Sequence, residues 1–317
     1  MSSRAVDRPD IDGFLDLNKP RGITSMEVVR RVRRVVGLRR GVGHGGTLDP
    51  LADGVLPICL GQATRLMEFL VDGTKVYRAE LRLGVTTDTY DAEGQVTGQA
   101  DPSGVTLQRV DAALEGFKGT FDQMPPMYSA LKYQGKRLYD LARAGVEVER
   151  QPRRVQVKRI EVLELEAPRL VIEVECGRGL YLRSLAHDIG QAIGCGAHLS
   201  ALTRLRSGAF RLEDSVTLED LERRGQDGTW EALLLPVDFP LQHMKAVQIG
   251  RSGYRLLMNG QPVPAGPQPS YITHLESCRA YSESGSFLGV VRWDRSQSSW
   301  RPFKMFKPGP PSAYAPT

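Results

Sequence analysis

The residue best placed to do chemistry is Asp49, near the end of a glycine-rich segment, G-V-G-H-G-G-T-L-D-P-L-A-D-G, over residues 41–54. Glycines let a loop bring its backbone close to a ligand, and a carboxylate there can act as a general base or a nucleophile. An Asp before Pro50 is also a common start of an Asx-turn, and the local sequence by itself favours that structural role. A phosphate-binding loop is excluded, because no Gly-Lys-Ser/Thr follows and the carboxylate would repel phosphate.

His44 and Tyr77 are two further residues whose side chains can contact a ligand. No second His or Cys lies at ligand spacing from His44, so the sequence predicts no metal site there. The imidazole either stacks on a base or completes a turn. Tyr77 falls on the apolar face of an alternating segment, where core packing with a hydrogen-bonded hydroxyl is the usual role.

Arg183 follows a Gly-Arg-Gly turn, in the first turn of a predicted helix. The helix dipole disfavours a cation at this end, so a carboxylate partner is expected. Asp188 and Glu175 are the local candidates for that partner. Sequence spacing does not connect Arg183 with Asp49.

The elements that must position these residues follow from hydrophobic periodicity. Ser25 is the predicted N-cap of a helix with valines at helical spacing, which ends at Gly37 and displays arginines on its other face. A shaped loop is predicted over 41–54. Further helices are predicted over about 64–70, 107–117 and 182–193, and strands over 75–83, 155–166 and 169–176.

Strands and helices that mix without strict alternation predict an α+β fold, with a mixed, mostly antiparallel sheet and flanking helices. We expect this catalytic domain to span residues 11–240 and to carry an RNA-binding insertion at about 120–155. A small β-rich domain is predicted over 241–310. Residues 1–10 and 311–317 are expected to be flexible, and the proline-rich segment from Pro302 onward is expected to be loosely packed.

Composition restricts the class of protein. The four cysteines form no Cys-x-x-Cys pair, which argues against a zinc site or a disulfide framework. No apolar run has the roughly 18 residues that a transmembrane helix needs, and the first ten residues do not resemble a signal peptide. We therefore expect a cytoplasmic protein, active as a monomer and without contact with a membrane.

Charge is unevenly distributed along the chain. The net charge is only +5, but residues 21–40 contain seven arginines against one acid, Glu27. Such a cluster either contacts nucleic-acid phosphates or forms a solvated helix face, and charge alone favours neither.

Five segments in order make the chain resemble the TruB family of tRNA pseudouridine synthases over residues 12–240. They are G-F-L-D-L-N-K-P-R-G-I-T-S, V-G-H-G-G-T-L-D-P-L-A-D-G-V-L-P-I-C-L-G, K-V-Y-R-A-E-L-R-L-G-V-T-T-D-T-Y-D-A-E-G, P-P-M-Y-S-A-L-K-Y-Q-G-K-R-L-Y-D-L-A-R-A-G and G-L-Y-L-R-S-L-A-H-D-I-G. The resemblance implies isomerisation of uridine 55 in the T-arm of tRNA, with no metal or other cofactor. The C-terminal domain is placed like the family's PUA-like RNA-binding domain, although its sequence match is weaker.

The resemblance also implies roles for individual residues. Asp49 is the catalytic carboxylate, Tyr77 stacks on the target base and takes part in proton transfer, and Arg183 pairs with the catalytic Asp. The residues expected to contact or surround the substrate are His44, Tyr181, Leu202, Asp91, Lys19 and Lys132. Basic residues over 21–40 and 132–154 are the expected phosphate contacts. Many family members have Thr where this chain has Gly45, so a hydroxyl contact at that position is not expected.

Two other functions are compatible with these residues. A non-catalytic RNA-binding or RNA-folding protein would use the same scaffold and would tolerate Asp49→Asn. A hydrolase would combine Asp49 with a second acid such as Asp53 or Asp91, but no ligand cluster supports a metal-dependent version. For a synthase, the sequence does not decide whether Asp49 attacks the anomeric carbon or removes the neighbouring ribose proton.

Overall fold

The computed structural model describes residues 11–128, 148–264 and 272–316, together with Val146 and two short backbone segments, Lys132–Tyr133 and Lys136–Arg137. Six α-helices lie in these ranges: α1 (Ser25–Val36), α2 (Met67–Asp72), α3 (Leu107–Glu115), α4 (Leu182–Ile193), α5 (Leu218–Gln226) and α6 (Arg251–Met258). Short 3-10 helices span Gly61–Leu66, Leu212–Asp214, Trp230–Leu233 and Phe239–Leu241.

The strands of the N-terminal part are β1 (Gly13–Lys19), β2 (Val42–His44), β3 (Ala52–Leu60), β4 (Lys75–Leu83), β5 (Val85–Thr87), β6 (Val96–Gln99), β7 (Gly119–Gln123), β8 (Lys132–Tyr133), β9 (Lys136–Arg137), β10 (Arg153–Glu166), β11 (Arg169–Cys176), β12 (Ala197–Ser207), β13 (Phe210–Arg211) and β14 (Val216–Thr217). Those of the C-terminal part are β15 (Ala246–Gln248), β16 (Val263–Pro264), β17 (Ser277–Tyr281), β18 (Phe287–Asp294) and β19 (Ser299–Met305).

A ten-stranded sheet forms the centre of the molecule, in the order β14-β1-β3-β12-β4-β11-β10-β7, with β2 also paired to β3 and β13 to β12. Among the described strands of this sheet, only the pairs β1–β14 and β3–β12 are parallel. The predicted mixed, mostly antiparallel α+β fold is therefore confirmed. Because β12 lies between β3 and β4, residues distant in sequence are neighbours: Leu202 aligns with Ala52 and Ala79, and Arg204 aligns with Gly54 and Tyr77.

Apolar helix faces cover this sheet. On α4, residues spaced one turn apart, such as Leu185 and Ile189, are fully buried against strand residues such as Ile172. On α1, Val28 and Val32 pack in a second cluster with β1 and β3. Both helices end at glycines in the left-handed conformation, as their sequences predict.

The start of α1 differs from the prediction. Thr24 is the N-cap, since its hydroxyl accepts a hydrogen bond from the backbone N–H of Glu27 at 3.1 Å. The Ser25 hydroxyl instead donates to the Leu48 carbonyl at 2.9 Å and accepts from the Leu48 N–H at 2.8 Å. Ser25 thereby ties the helix to the glycine-rich loop, one residue before Asp49.

The C-terminal part forms the predicted small β structure, a five-stranded sheet in the order β15-β17-β18-β19-β16. Its side chains share one hydrophobic cluster with the N-terminal part, in which Tyr281 and Phe306 join Phe14. The segment after Pro302 is more ordered than expected: it begins within β19, and Ser312 donates a hydrogen bond to the Asp238 carboxylate at 2.5 Å. Among the described helices, none has the length and apolar character needed to cross a membrane.

Asp16 is an ionisable group that this packing leaves in an unfavourable environment. It is 6% exposed on β1, and its Oδ2 accepts a hydrogen bond from the Arg211 N–H at 3.2 Å, while Oδ1 has no partner within the described residues. Burial raises the pKa of Asp16 from 3.8 to about 7. The folded state thus holds this proton more tightly than the unfolded chain does, so stability is lost as the pH rises from about 4 to about 7.

Asp16→Asn is therefore expected to raise the free energy of unfolding, and to do so more at pH 8 than at pH 5 by about 3 kcal/mol. Urea unfolding at the two pH values measures this difference. Glu213→Gln is the matched control, since that side chain is 72% exposed and its loss should have no comparable pH dependence. Equal effects of Asp16→Asn at both pH values would contradict the assignment.

Candidate active site

A cavity of about 350 Å³ lies where the glycine-rich loop, β4, the end of β11 and the start of α4 meet. Its volume suits a ligand the size of a nucleobase with part of its sugar. The lining residues are Gly46, Thr47, Leu48, Asp49, Val71, Lys75, Tyr77, Cys176, Gly177, Arg178, Gly179, Leu180, Tyr181, Leu182, Arg183, Leu202 and Arg204. The structure therefore brings five of the predicted site residues to one cavity: Asp49, Tyr77, Tyr181, Arg183 and Leu202.

Asp49 and Arg183 form an ion pair across this cavity, with 3.0 Å between Oδ2 and Nη2. The other arm of the guanidinium, Nη1, lies 3.5 Å from Oδ2 of Asp91. Arg183 and Asp91 are buried, whereas the Asp49 side chain is 43% exposed. One buried cation therefore holds two carboxylates in fixed positions, and only Asp49 is accessible to a ligand.

A carboxylate partner was expected for Arg183, and the structure provides two, Asp49 and Asp91. Of the two local candidates, Glu175 pairs instead with Arg206 at 3.1 Å. The carboxyl of the other, Asp188, has its pKa raised to about 6 by burial.

Gln123 fixes the first turn of α4, which carries Arg183. Its side-chain oxygen accepts a hydrogen bond from the Tyr181 N–H at 2.9 Å, and its amide donates to the Tyr181 carbonyl at 3.2 Å. Tyr181 is the N-cap residue of α4, and its side chain makes no capping hydrogen bond. Arg183 Nη2 also donates to the Tyr128 carbonyl at 2.8 Å, which gives the guanidinium a further fixed contact. Gln123 was not predicted, because its role depends on a residue 58 positions away.

Arg204 holds the glycine-rich loop through hydrogen bonds to its backbone. The sequence did not predict this role. Arg204 is 1% exposed, and it donates hydrogen bonds to the carbonyls of Val55 at 2.6 Å, Gly46 at 3.0 Å and Thr47 at 3.5 Å. Close packing at this point requires Gly54, where a Cβ would lie 2.3 Å from the Arg204 carbonyl oxygen. The available signal was period-two spacing, which places Arg204 on the same strand face as Leu202.

Lys19 occupies a different position from the one expected of a substrate contact. It is fully buried, and its ammonium donates to the carbonyls of Ala52 at 2.7 Å and Pro20 at 2.9 Å. Burial lowers its pKa to about 8, while Asp53 and Asp49 oppose that change. Lys19 does not line the cavity, and its hydrogen bonds anchor the segment that follows Asp49.

Tyr77 is half-buried at the cavity wall, and burial raises the pKa of its phenol. The hydroxyl is therefore protonated at neutral pH and can donate a hydrogen bond, while the ring can stack on a ligand.

His44 lies in the same glycine-rich segment. Burial, and to a smaller extent Arg204, lowers the pKa of His44, so this imidazole is neutral at pH 7. Its Nδ1 accepts a long hydrogen bond of 3.4 Å from the Gly46 N–H, and it shapes the loop without lining the cavity.

The arginines of residues 21–40 are less available than a free basic patch would be. Arg31 forms a bidentate pair with Glu222 at 2.6 and 2.5 Å. Further ion pairs join Arg30 and Arg34 to Glu27 and Arg21 to Asp53. Arg39 and Arg40 are exposed and have no ionic partner among the described residues.

The second predicted patch of basic residues spans 132–154. Arg153 and Arg154 are exposed on β10, whereas the side chain of Lys132 lies outside the described residues.

Within the described ranges, no group of three or more His, Cys, Asp or Glu side chains is arranged to hold a metal ion. The cysteine that lines the cavity, Cys176, is buried, and burial raises its thiol pKa to about 12. This thiol is therefore protonated at neutral pH. Lys75, which also lines the cavity, donates to the carbonyls of Leu70 and Gly73, whereas the Asp49 carboxylate is exposed to a ligand.

Comparison with known proteins matches most of this chain. Residues 33–182 match the family model described as TruB family pseudouridylate synthase (N terminal domain), and residues 183–242 match that of the tRNA pseudouridylate synthase B C-terminal domain. The tRNA pseudouridine synthase B of Dehalococcoides mccartyi is 43% identical over 93% of this chain and 97% of that protein. The protein of the same name from Thiobacillus denitrificans is 44% identical over 90% of this chain and 93% of its own length.

Solved structures share the fold. A Cbf5-Nop10-Gar1 complex contains a chain with a TM-score of 0.71 and 28% identity, covering 96% of this chain and 87% of that one. An H/ACA RNP bound to a substrate RNA containing 2'-deoxyuridine contains another, with a TM-score of 0.69, 27% identity and the same two coverages. The two family models together span the whole cavity lining, from Gly46 to Arg204.

Proposed function

The chain belongs to the TruB family of pseudouridylate synthases, and we propose that it converts the T-loop uridine of tRNA, at position 55, to pseudouridine. The observation that carries the proposal is the Asp49 carboxylate, held at 3.0 Å from Arg183 and accessible in a cavity of nucleobase size. We also place this activity in the cytoplasm.

The reaction breaks the bond between ribose carbon-1' and uracil nitrogen-1, turns the base, and joins carbon-1' to carbon-5. The proton of carbon-5 then leaves and nitrogen-1 gains one, so no atom is imported and no electron is transferred overall. Asp49 fits two routes. It can attack carbon-1', displacing uracil, and be displaced in turn by carbon-5. It can instead take the carbon-2' proton as uracil leaves and return it when carbon-5 adds to carbon-1'.

Each route requires the carboxylate to be held under the ribose while the base turns. Arg183 provides this, because its guanidinium is buried and is itself fixed by Asp91 and by the Tyr128 carbonyl. Tyr77 lines the cavity, and stacking of the base on its ring would contribute on the order of 1–3 kcal/mol toward keeping the base out of its own stack.

The distribution of charge supports RNA as the substrate. After residue 240 the chain has nine basic residues against three acidic ones, whereas residues 1–240 have 33 against 34. The small β domain thus carries the entire excess of positive charge, as expected of a surface that contacts phosphates. We propose that this domain and the exposed pairs Arg39–Arg40 and Arg153–Arg154 contact the backbone of the T-arm. The H/ACA RNP that shares this fold is bound to an RNA substrate.

The proposal is tested with an unmodified tRNA transcript. The tRNA is incubated with the protein and treated with carbodiimide, which leaves an adduct on pseudouridine. Primer extension should then show a single new reverse-transcription stop, in the T-loop. A transcript with cytidine in place of the T-loop uridine is the matched control and should give no stop. A stop at another uridine would contradict the T-loop assignment, and no stop with either transcript would contradict tRNA as the substrate.

A further inference from the structure

Tyr90 has a backbone conformation that bulky residues seldom adopt. Its φ is +64°, in the left-handed region that favours glycine and asparagine. The turn around it is anchored on β12, since the Tyr90 carbonyl accepts from the Leu199 N–H at 3.0 Å and the Ala92 N–H donates to the Leu199 carbonyl at 3.0 Å. A strained aromatic residue in a well-anchored turn points to a constraint on its side chain.

That side chain stacks on His187. The two ring centroids are 4.0 Å apart and the planes differ by 18°, which is close, nearly parallel stacking. Burial lowers the pKa of His187, and its Nδ1 has no hydrogen-bond partner in the described part of the chain. Among the described residues, the contact shown for this imidazole is therefore made through its face, not through Nδ1.

The stack lies beside the buried ion pair of the active site. Tyr90 directly precedes Asp91, and His187 follows Arg183 by one helical turn on the same face of α4. The Asp91 carboxylate is also oriented from its own turn, because Oδ1 accepts from the Thr89 hydroxyl at 2.6 Å. The turn and the helix are thus joined twice, by the Asp91–Arg183 contact at 3.5 Å and by the Tyr90–His187 stack.

We propose that Tyr90 and His187 form a positioning pair, which holds Asp91 against Arg183 and thereby keeps Arg183 aligned on Asp49. The pair touches neither the cavity nor the reacting atoms, so it acts only through Asp91 and Arg183. A 3.5 Å contact is longer than a good ion-pair hydrogen bond. The stack joins the turn directly to α4 and so supplies a second restraint on that contact. The inference rests on the proposed function, because its kinetic test uses pseudouridine formation in tRNA.

Tyr90→Ala is expected to lower kcat about tenfold and to leave KM for tRNA within about twofold, since substrate contacts are unchanged. His187→Ala should behave in the same way. Tyr90→Phe and His187→Phe keep a flat ring and should retain kcat within about twofold. Tyr90→Gly removes the backbone strain together with the ring, and should be as slow as Tyr90→Ala. Thermal melting of each variant identifies any that fail to fold.

A double-mutant cycle separates positioning from general damage. With Asp91→Asn already present, Tyr90→Ala should lower kcat by no more than about twofold, because the residue through which it acts has lost its charge. A full tenfold loss in that background, or an unchanged kcat for Tyr90→Ala alone, would overturn the proposal.

A second measurement does not depend on activity. The Arg183 side-chain N–H resonance, assigned by its loss in Arg183→Lys, should shift or broaden in RNA-free Tyr90→Ala and stay in place in Tyr90→Phe. An unaltered resonance in Tyr90→Ala would overturn the positioning pair. A wild-type protein with the expected resonances that forms no pseudouridine would overturn the proposed function instead.

Discussion

Asp49→Asn is expected to lower the rate of pseudouridine formation by about four orders of magnitude or more, while tRNA affinity changes by less than about threefold. The amide keeps the size of the side chain and an acceptor facing Arg183. It can neither attack carbon-1' nor take up a ribose proton. Because Arg183 keeps its second partner, Asp91, the substitution leaves no buried cation without a carboxylate, and the fold should be retained.

Asp53→Asn is the matched control for this prediction. Asp53 lies four residues further along the chain, and its carboxylate pairs with the exposed Arg21 at 2.8 Å instead of lining the cavity. The rate of pseudouridine formation by Asp53→Asn should stay within about threefold of wild type. Equal losses in the two variants would show that the local charge matters and not the Asp49 carboxylate. Rapid turnover by Asp49→Asn would leave only a synthase whose chemistry does not use the Asp49 carboxylate.

Arg204→Lys is expected to lower the rate about a hundredfold and also to lower the melting temperature, because buried carbonyls lose their donors. Lysine keeps the positive charge but lacks the planar fork that reaches the three carbonyls of Val55, Gly46 and Thr47. The glycine-rich loop would then lose the hydrogen bonds from Arg204. The Asp49 carboxylate would no longer be held in its position against Arg183. Stopped-flow rates at saturating tRNA, beside thermal melts, separate this loss of alignment from unfolding.

The control on the same strand is Arg206→Lys. Arg206 pairs with Glu175 and makes none of the three carbonyl contacts of Arg204. The rate of the Arg206→Lys variant should therefore match wild type within about twofold. If Arg204→Lys turned over as fast as Arg206→Lys, the three carbonyl contacts would have no part in the alignment of Asp49.

Local patterns predicted local structure well. The valine spacing of α1, the alternation of β4 and the glycine that ends α4 each have a short-range cause, and each element is present. The N-cap of α1 was wrong by one residue, because Thr24 and Ser25 are both good caps and a contact with Leu48 decides between them. Such a choice depends on tertiary structure.

Long-range pairing accounts for the remaining differences. The Arg31 cation appeared free because Glu222, its partner, lies 191 positions away, on α5. Asp49 and Arg183 meet only because the fold brings the glycine-rich loop and α4 to one cavity. Arg204 was missed because its partners are backbone carbonyls that no pattern reveals. The family resemblance named Asp49 and Arg183 as a pair, whereas residue spacing alone did not.

The most direct test of the account is tritium release under single-turnover conditions. With enzyme in excess over tRNA that carries tritium at carbon-5 of its uridines, wild-type protein should release the label of one uridine per tRNA, because carbon-5 loses its proton only after the new bond to carbon-1' forms. Asp49→Asn, with the tRNA fully bound, should release none on the same timescale. Release by Asp49→Asn at the wild-type rate would contradict the claim that this carboxylate carries out the chemistry.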